Sequence, residues 1–148
     1  KYGMQCKNKF VADRFEFNLN INNILTALTC RKYGWDIKSA IVGDNVVAET
    51  IRNSVSARDF NLKAEIDYFD ALVSISETAN LLDREHRIDA LKWNWLEENT
   101  FFSSFSIEKV LSFWLRCELM HRWDNLSMEE GAEIFRQMIK KKKKDVKF

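Results

Sequence analysis

An all-α fold, a bundle of about five to seven helices, follows from three observations on the sequence. The 148 residues include no Pro and only 4 Gly, so the residues that shape tight hairpins and sandwich corners are nearly missing. Apolar side chains recur at the helical period of about 3.6 residues over most of the chain. Hydroxyl and acidic residues also stand where helices should start. Ser127-Met128-Glu129-Glu130 reads as a capping box, and Ser106 precedes Ile107 and Glu108 as an N-cap with an acid in the first turn.

The elements follow in order. Val11 to Tyr33 reads as a first long helix, with Phe17, Ile21, Ile24, Leu25 and Leu28 inward and Gly34 as its stop. Trp35 to Asp44 is a connection. A short helix covers Asn45 to Asn53, with Val46, Val47 and Ile51 inward, and Ser54-Val55-Ser56 ends it because hydroxyls compete for backbone groups. Helical spacing resumes near Lys63 with Ile66, Phe69, Leu72 and Val73, and Ser74-Ile75-Ser76 is a point of interruption. A long amphipathic helix then runs to Glu98 on a face of Leu81, Ile88, Leu91 and Trp95. Thr100 to Ser106 is a loop whose Phe101, Phe102 and Phe105 are expected to be buried. The last helix carries Ile134, Phe135, Met138 and Ile139 and runs into Lys140–Lys144.

The segment Phe105 to Trp123 is apolar almost all round. Ile107, Val110, Leu111 and Trp114 form one stripe, and Phe113, Cys117, Met120 and Trp123 a second face, which predicts a central helix with Trp114 in the core. Its charges then need partners. Glu118 and Arg122 stand four apart with the acid N-terminal, the favourable order, and are expected to form a buried structural ion pair. His121 beside them leaves a catalytic group of Glu118, His121 and Arg122 as the sharper alternative.

Composition bounds the rest. One domain over residues 1–148 is the natural size, with a basic C-terminal end at 140–148. A 46% apolar fraction with 11 Phe and 5 Trp excludes disorder, and no apolar run of about 18 residues exists to span a membrane. Net charge is +1, with acids and bases interspersed except in the run Lys140-Lys141-Lys142-Lys143-Lys144, so a globally basic nucleic-acid binder is not indicated. Three unclustered cysteines, Cys6, Cys30 and Cys117, fit reduced thiols in a cytoplasmic protein. The chain starts at Lys1 and is expected to be a fragment lacking an N-terminal part.

No residues define a catalytic, cofactor or metal site. His86 and His121 are far apart, no Cys/His pair has ligand spacing, and neither a phosphate loop nor a Gly-x-Ser-x-Gly turn is present. Asp83-Arg84-Glu85-His86-Arg87 is a solvated helical turn. The lysine run, with Arg31 and Lys32, supplies candidate contact residues: Arg31, Lys32, Lys140, Lys141, Lys142, Lys143 and Lys144. A solvated tail, an anionic lipid contact and a nucleic-acid contact are its three readings.

Two segments carry a resemblance. Asn22 to Gly34, with Arg31-Lys32-Tyr33-Gly34 at its end, resembles a helix of the C subunit (d in eukaryotes) of V-type ATPases. Phe105 to Leu111, followed by Arg116-Cys117-Glu118-Leu119-Met120, resembles a later repeat of that subunit. Most of the chain is also similar to an uncharacterised bacterial family encoded among V-type ATP synthase genes. Asp44-Asn45, Arg58-Asp59-Phe60, Leu91 to Leu96 and Thr100-Phe101-Phe102 fit its pattern. The resemblance implies a non-catalytic helical socket on the membrane rotor ring that receives the central stalk and transmits torque. Its partners would be rotor and stalk subunits, its place cytoplasmic and peripheral to the membrane, and it would need no cofactor. The rival reading is a helical nucleic-acid-binding module using the lysine run, and an enzyme ranks third.

Overall fold

The structure is a computed structural model that describes residues 3–124 and 128–145, with side chains over 3–124 and 131–141. Among the described residues it is all-helical: a 3-10 turn at Gly3–Gln5 is followed by seven α-helices, and there is no strand. The chain divides into two compact units, residues 1–99 and 100–148.

The first unit is organised around α1, Lys9–Tyr33. It starts two residues earlier than the apolar pattern indicates, because the Asn8 side chain accepts from the Val11 N–H at 3.1 Å and caps the first turn. It ends as the sequence requires. Gly34 adopts φ 69°, and the N–H of Trp35 reaches back to the Cys30 carbonyl at 2.8 Å. A four-residue α2, Ile37–Ala40, capped by Asp36, interrupts the predicted connection. Then α3, Val46–Asn53, begins at the Asn45 cap. Against α1 pack the 3-10 turn, α2, α3 and α4 (Phe69–Glu77), while α5 (Leu81–Glu98) packs on α4.

Residues 54–68 depart from expectation. Helix does not resume at Lys63; the backbone runs through successive turns until Phe69, with left-handed φ values of 52° at Phe60 and 57° at Asn61. That path buries Phe60, Leu62 and Ile66 together, which a continuous helix could not do at that spacing. Tertiary burial outweighs a weak local helical preference. The Ser74–Ser76 stretch does not break α4 but closes it. The hydroxyls of Ser76 and Thr78 donate to the carbonyls of Val73 and Ser74, taking acceptors from the last turn.

Core residues come from α1 (Phe17, Ile21, Ile24), α3 (Ala48, Ile51), the loop and α4 (Leu72). Aromatic rings extend it. Trp95 of α5 stacks on Phe17 at 5.0 Å and Phe10 at 5.6 Å, and Tyr68 meets Phe17 edge-on at 5.0 Å. Leu81, expected on the inner face of α5, is exposed; Ile88 and Leu96 supply the burial instead.

The second unit contains α6, Ile107–Asp124, and α7, Met128–Asp145. Ser106 caps α6 as predicted, its hydroxyl accepting from the Lys109 N–H at 3.3 Å. Ser127, the first residue of the predicted capping box, lies outside the described residues. The centrality of α6 is not observed. Its buried residue is Ser112, and Trp114, expected in the core, is 57% exposed. Phe101, Phe102 and Phe105 are exposed as well, Phe102 at 93%. The physical reason is that apolarity creates a demand for burial without supplying the surface that meets it.

Candidate functional site

Two kinds of feature are candidates: polar side chains held inside the first unit, and apolar and basic side chains left outside in the second. The first kind begins with two asparagines on the apolar face of α1. Asn23 brackets Val42, donating to its carbonyl at 2.8 Å and accepting from its N–H at 3.1 Å. One turn back, Asn20 accepts from Asn45 Nδ2 at 2.7 Å, and the same Nδ2 lies 3.1 Å from Glu16 Oε1. The Tyr68 hydroxyl also bonds Asn20; burial, the larger influence, and the nearby Glu16 charge push its ionisation above the ordinary range against that bond. This network fixes the 41–45 connection and the α3 cap on α1. Sequence reasoning missed it, although Asn20 and Asn23 interleaved with Ile21 and Ile24 were its signal.

Arg31, half-buried, is the second polar device. Its guanidinium donates to the carbonyls of Arg58, Val55 (3.0 Å) and Ala57 (2.7 Å), and its centre lies 3.7 Å from the centroid of the Phe60 ring. Burial draws its pKa below the usual arginine value, opposed by Asp59. Thus Arg31, a candidate contact residue from sequence, is spent on its own chain as the clamp of the 54–60 loop. Lys32 beside it is exposed, with its ammonium 5.9 Å from the Tyr33 ring.

Arg14 is the third. It is buried, its guanidinium 5.7 Å from the Trp95 ring and 5.8 Å from Phe17, and its Nη1 has no hydrogen-bond partner. Burial lowers its pKa, and the charge of Asp89 opposes the shift. Asp89 in turn pairs with Lys92 at 3.3 Å. A shallow groove of roughly 440 Å³ along α1, with Asn22, Thr26, Trp35 and Arg84 in its walls, lies open to solvent.

In the second unit the residues proposed from sequence are on the surface. Glu118, His121 and Arg122 are all exposed, and the Arg122 guanidinium lies 5.3 Å from the Trp123 ring. Glu118 and Arg122, expected as a buried pair, are both exposed, so neither charge is withdrawn from water. Ile107, Val110 and Trp114 of the first stripe and Phe113 and Met120 of the second face are exposed along α6, and Ile134, Phe135, Met138 and Ile139 are exposed along α7. Lys140 and Lys141 are exposed too; Lys142, Lys143 and Lys144 continue α7, with side chains outside the described residues. Arg31 and Lys32 belong to the first unit and the lysine run to the second.

Cys6, Cys30 and Cys117 are free thiols. Among the described residues no three His, Cys, Asp or Glu side chains converge as a metal site, and no helix is long and apolar enough to cross a membrane. The geometry is that of an all-helical protein with a tightly fastened first unit and an apolar, partly basic second one. The chain belongs to the family described as "Protein of unknown function (DUF2764)", whose model matches residues 1–146. No curated protein and no solved structure matches it.

Proposed function

We propose that this chain is a non-catalytic structural or accessory component of a V-type ATPase or ATP synthase, linking the central stalk to the membrane rotor on the cytoplasmic side. The observation that carries the reading is the exposed apolar surface of the second unit. Monomeric proteins rarely leave large contiguous apolar patches in water, and such surface marks a contact with something else. Aromatic and aliphatic side chains of this size are the usual anchors of stable interfaces. Asn23 and Arg31 fasten the first unit's own backbone, as a mechanical part requires: stiffness comes from a close-packed core held by directional bonds. The resemblance of Asn22–Gly34 and Phe105–Met120 to the C subunit names the assembly.

Affinity purification from native membranes tests this reading. Stalk and rotor subunits of a rotary ATPase in stoichiometric amount are the expected result; their absence overturns it. A nucleotide-dependent rise in melting temperature would contradict the non-catalytic assignment, because a ligand selective for the native state must stabilise it.

A further inference from the structure

We infer that α7 is an interfacial helix that docks this chain on an anionic lipid surface, its apolar face entering the headgroup layer and its lysine run engaging the lipid charge. The inference deepens the peripheral placement proposed above and rests on that reading only for the identity of the membrane.

The first observation is geometric. Residues 134, 135, 138 and 139 share one face at helical period, and their Ile, Phe, Met and Ile side chains are 40–63% exposed. That stripe is under two turns long, too short to hold a helical partner by itself but deep enough for the boundary between headgroups and acyl chains. A second observation is charge. Arg136, Lys140 and Lys141 are exposed on the same helix, which continues through Lys142–Lys144. Clusters of four to eight basic residues on an amphipathic helix are attracted to anionic lipid by about 1 kcal/mol each.

The kind of charge decides between a bilayer and a protein groove. Consecutive helical positions are about 100° apart, so five lysines in a row encircle the axis. A groove in a protein partner meets one side of a helix, whereas flexible lysine stems can bend toward a plane of negative charge from every side. Lysine is also a point charge without the planar fork that arginine uses for a defined acceptor. Glu133 is exposed before the apolar stripe, with Glu129 and Glu130 preceding it in sequence, while past the stripe the acid of α7 is Asp145, after five lysines. Net positive charge is therefore concentrated at the C-terminal turns. In the same unit, Phe101, Phe102 and Phe105 are exposed on a loop with no apolar cover, and a lipid interface accepts such rings without a matching pocket.

The test is flotation of the purified 148-residue chain with phosphatidylcholine vesicles and with equimolar phosphatidylcholine–phosphatidylglycerol vesicles. Binding to the second alone, weakened by salt, is expected. Changing Lys140–Lys144 to Gln should weaken partition by about fivefold per lysine. The Ile134→Ser/Phe135→Ser variant should lose at least about tenfold. Ile134, Phe135, Lys140 and Lys141 are exposed helix positions, and an unchanged circular dichroism spectrum confirms the fold of each variant. No binding by the unaltered chain, equal binding to neutral vesicles, or an unaffected Ile134→Ser/Phe135→Ser variant overturns the inference. Duplex DNA bound as tightly as the anionic vesicles, with loss in the glutamine variant alone, overturns it in favour of nucleic acid. Vesicle failure alongside recovered rotary subunits removes the lipid contact and leaves the proposed function standing; the opposite pair of results does the reverse.

Discussion

Arg31 is the residue on which the most local structure depends. Its guanidinium satisfies three loop carbonyls and covers the Phe60 ring. Hydrogen bonds to a charged donor contribute about 1.5–3 kcal/mol each, less where solvent competes, as it does at this half-buried position. Arg31→Ala should therefore destabilise by about 2–4 kcal/mol in urea unfolding, and Arg31→Lys should recover only part, since an ammonium cannot span three acceptors. Arg14 predicts the opposite. With Nη1 unpartnered and Asp89 already held by Lys92, Arg14→Met should be within about 1 kcal/mol of the parent or more stable. Tyr68 makes stability depend on alkali. Its folded pKa is raised, chiefly by burial, so the unfolded chain loses that proton first as pH climbs. Stability from Tyr68 is complete below the ordinary tyrosine value of about 10 and declines above it, and Tyr68→Phe should flatten that decline. Exposed Glu118 behaves differently again: Glu118→Ala should cost no more than about 1 kcal/mol.

At the scale of the element, the C-terminus of α1 offers a clean test. Gly34 sits at φ 69° with open space where a Cβ would project, so Gly34→Ala should cost about 1 kcal/mol by backbone strain alone. Gly34 was also legible beforehand, as was the Ser106 cap, because both act within one or two turns of sequence. The 54–68 loop was not. Its path depends on a guanidinium more than twenty residues upstream, and no periodicity reports such a partner. The role of α6 was misread for a related reason. A helix apolar on two faces has the pattern of a core helix whether or not its neighbour is part of the same chain. The candidate surface was thus visible as residues but not as a surface. Ile134, Phe135, Met138 and Ile139 could be placed on the last helix from sequence; their exposure was knowable only from the fold.

For the whole molecule, the two units differ in how completely they meet their own needs. The clustered core residues, from Phe17 to Ile88, all lie within the first unit. A chain ending at Asn99 should therefore unfold cooperatively, with the slowest amide exchange in α1. Ile24→Ala in that fragment should cost about 2–5 kcal/mol, as for a buried aliphatic residue. A fragment that fails to show the helicity of α1 to α5 would contradict this self-sufficiency. The Arg31 clamp also carries a statement about time. A loop whose carbonyls converge on one side chain cannot close until the end of α1 has formed beneath it, so closure should come late along the folding route. Arg31 variants should then leave the refolding rate nearly unchanged and place almost the whole loss in faster unfolding. In a working part, that single side chain would set how long the native state persists rather than how quickly it is reached.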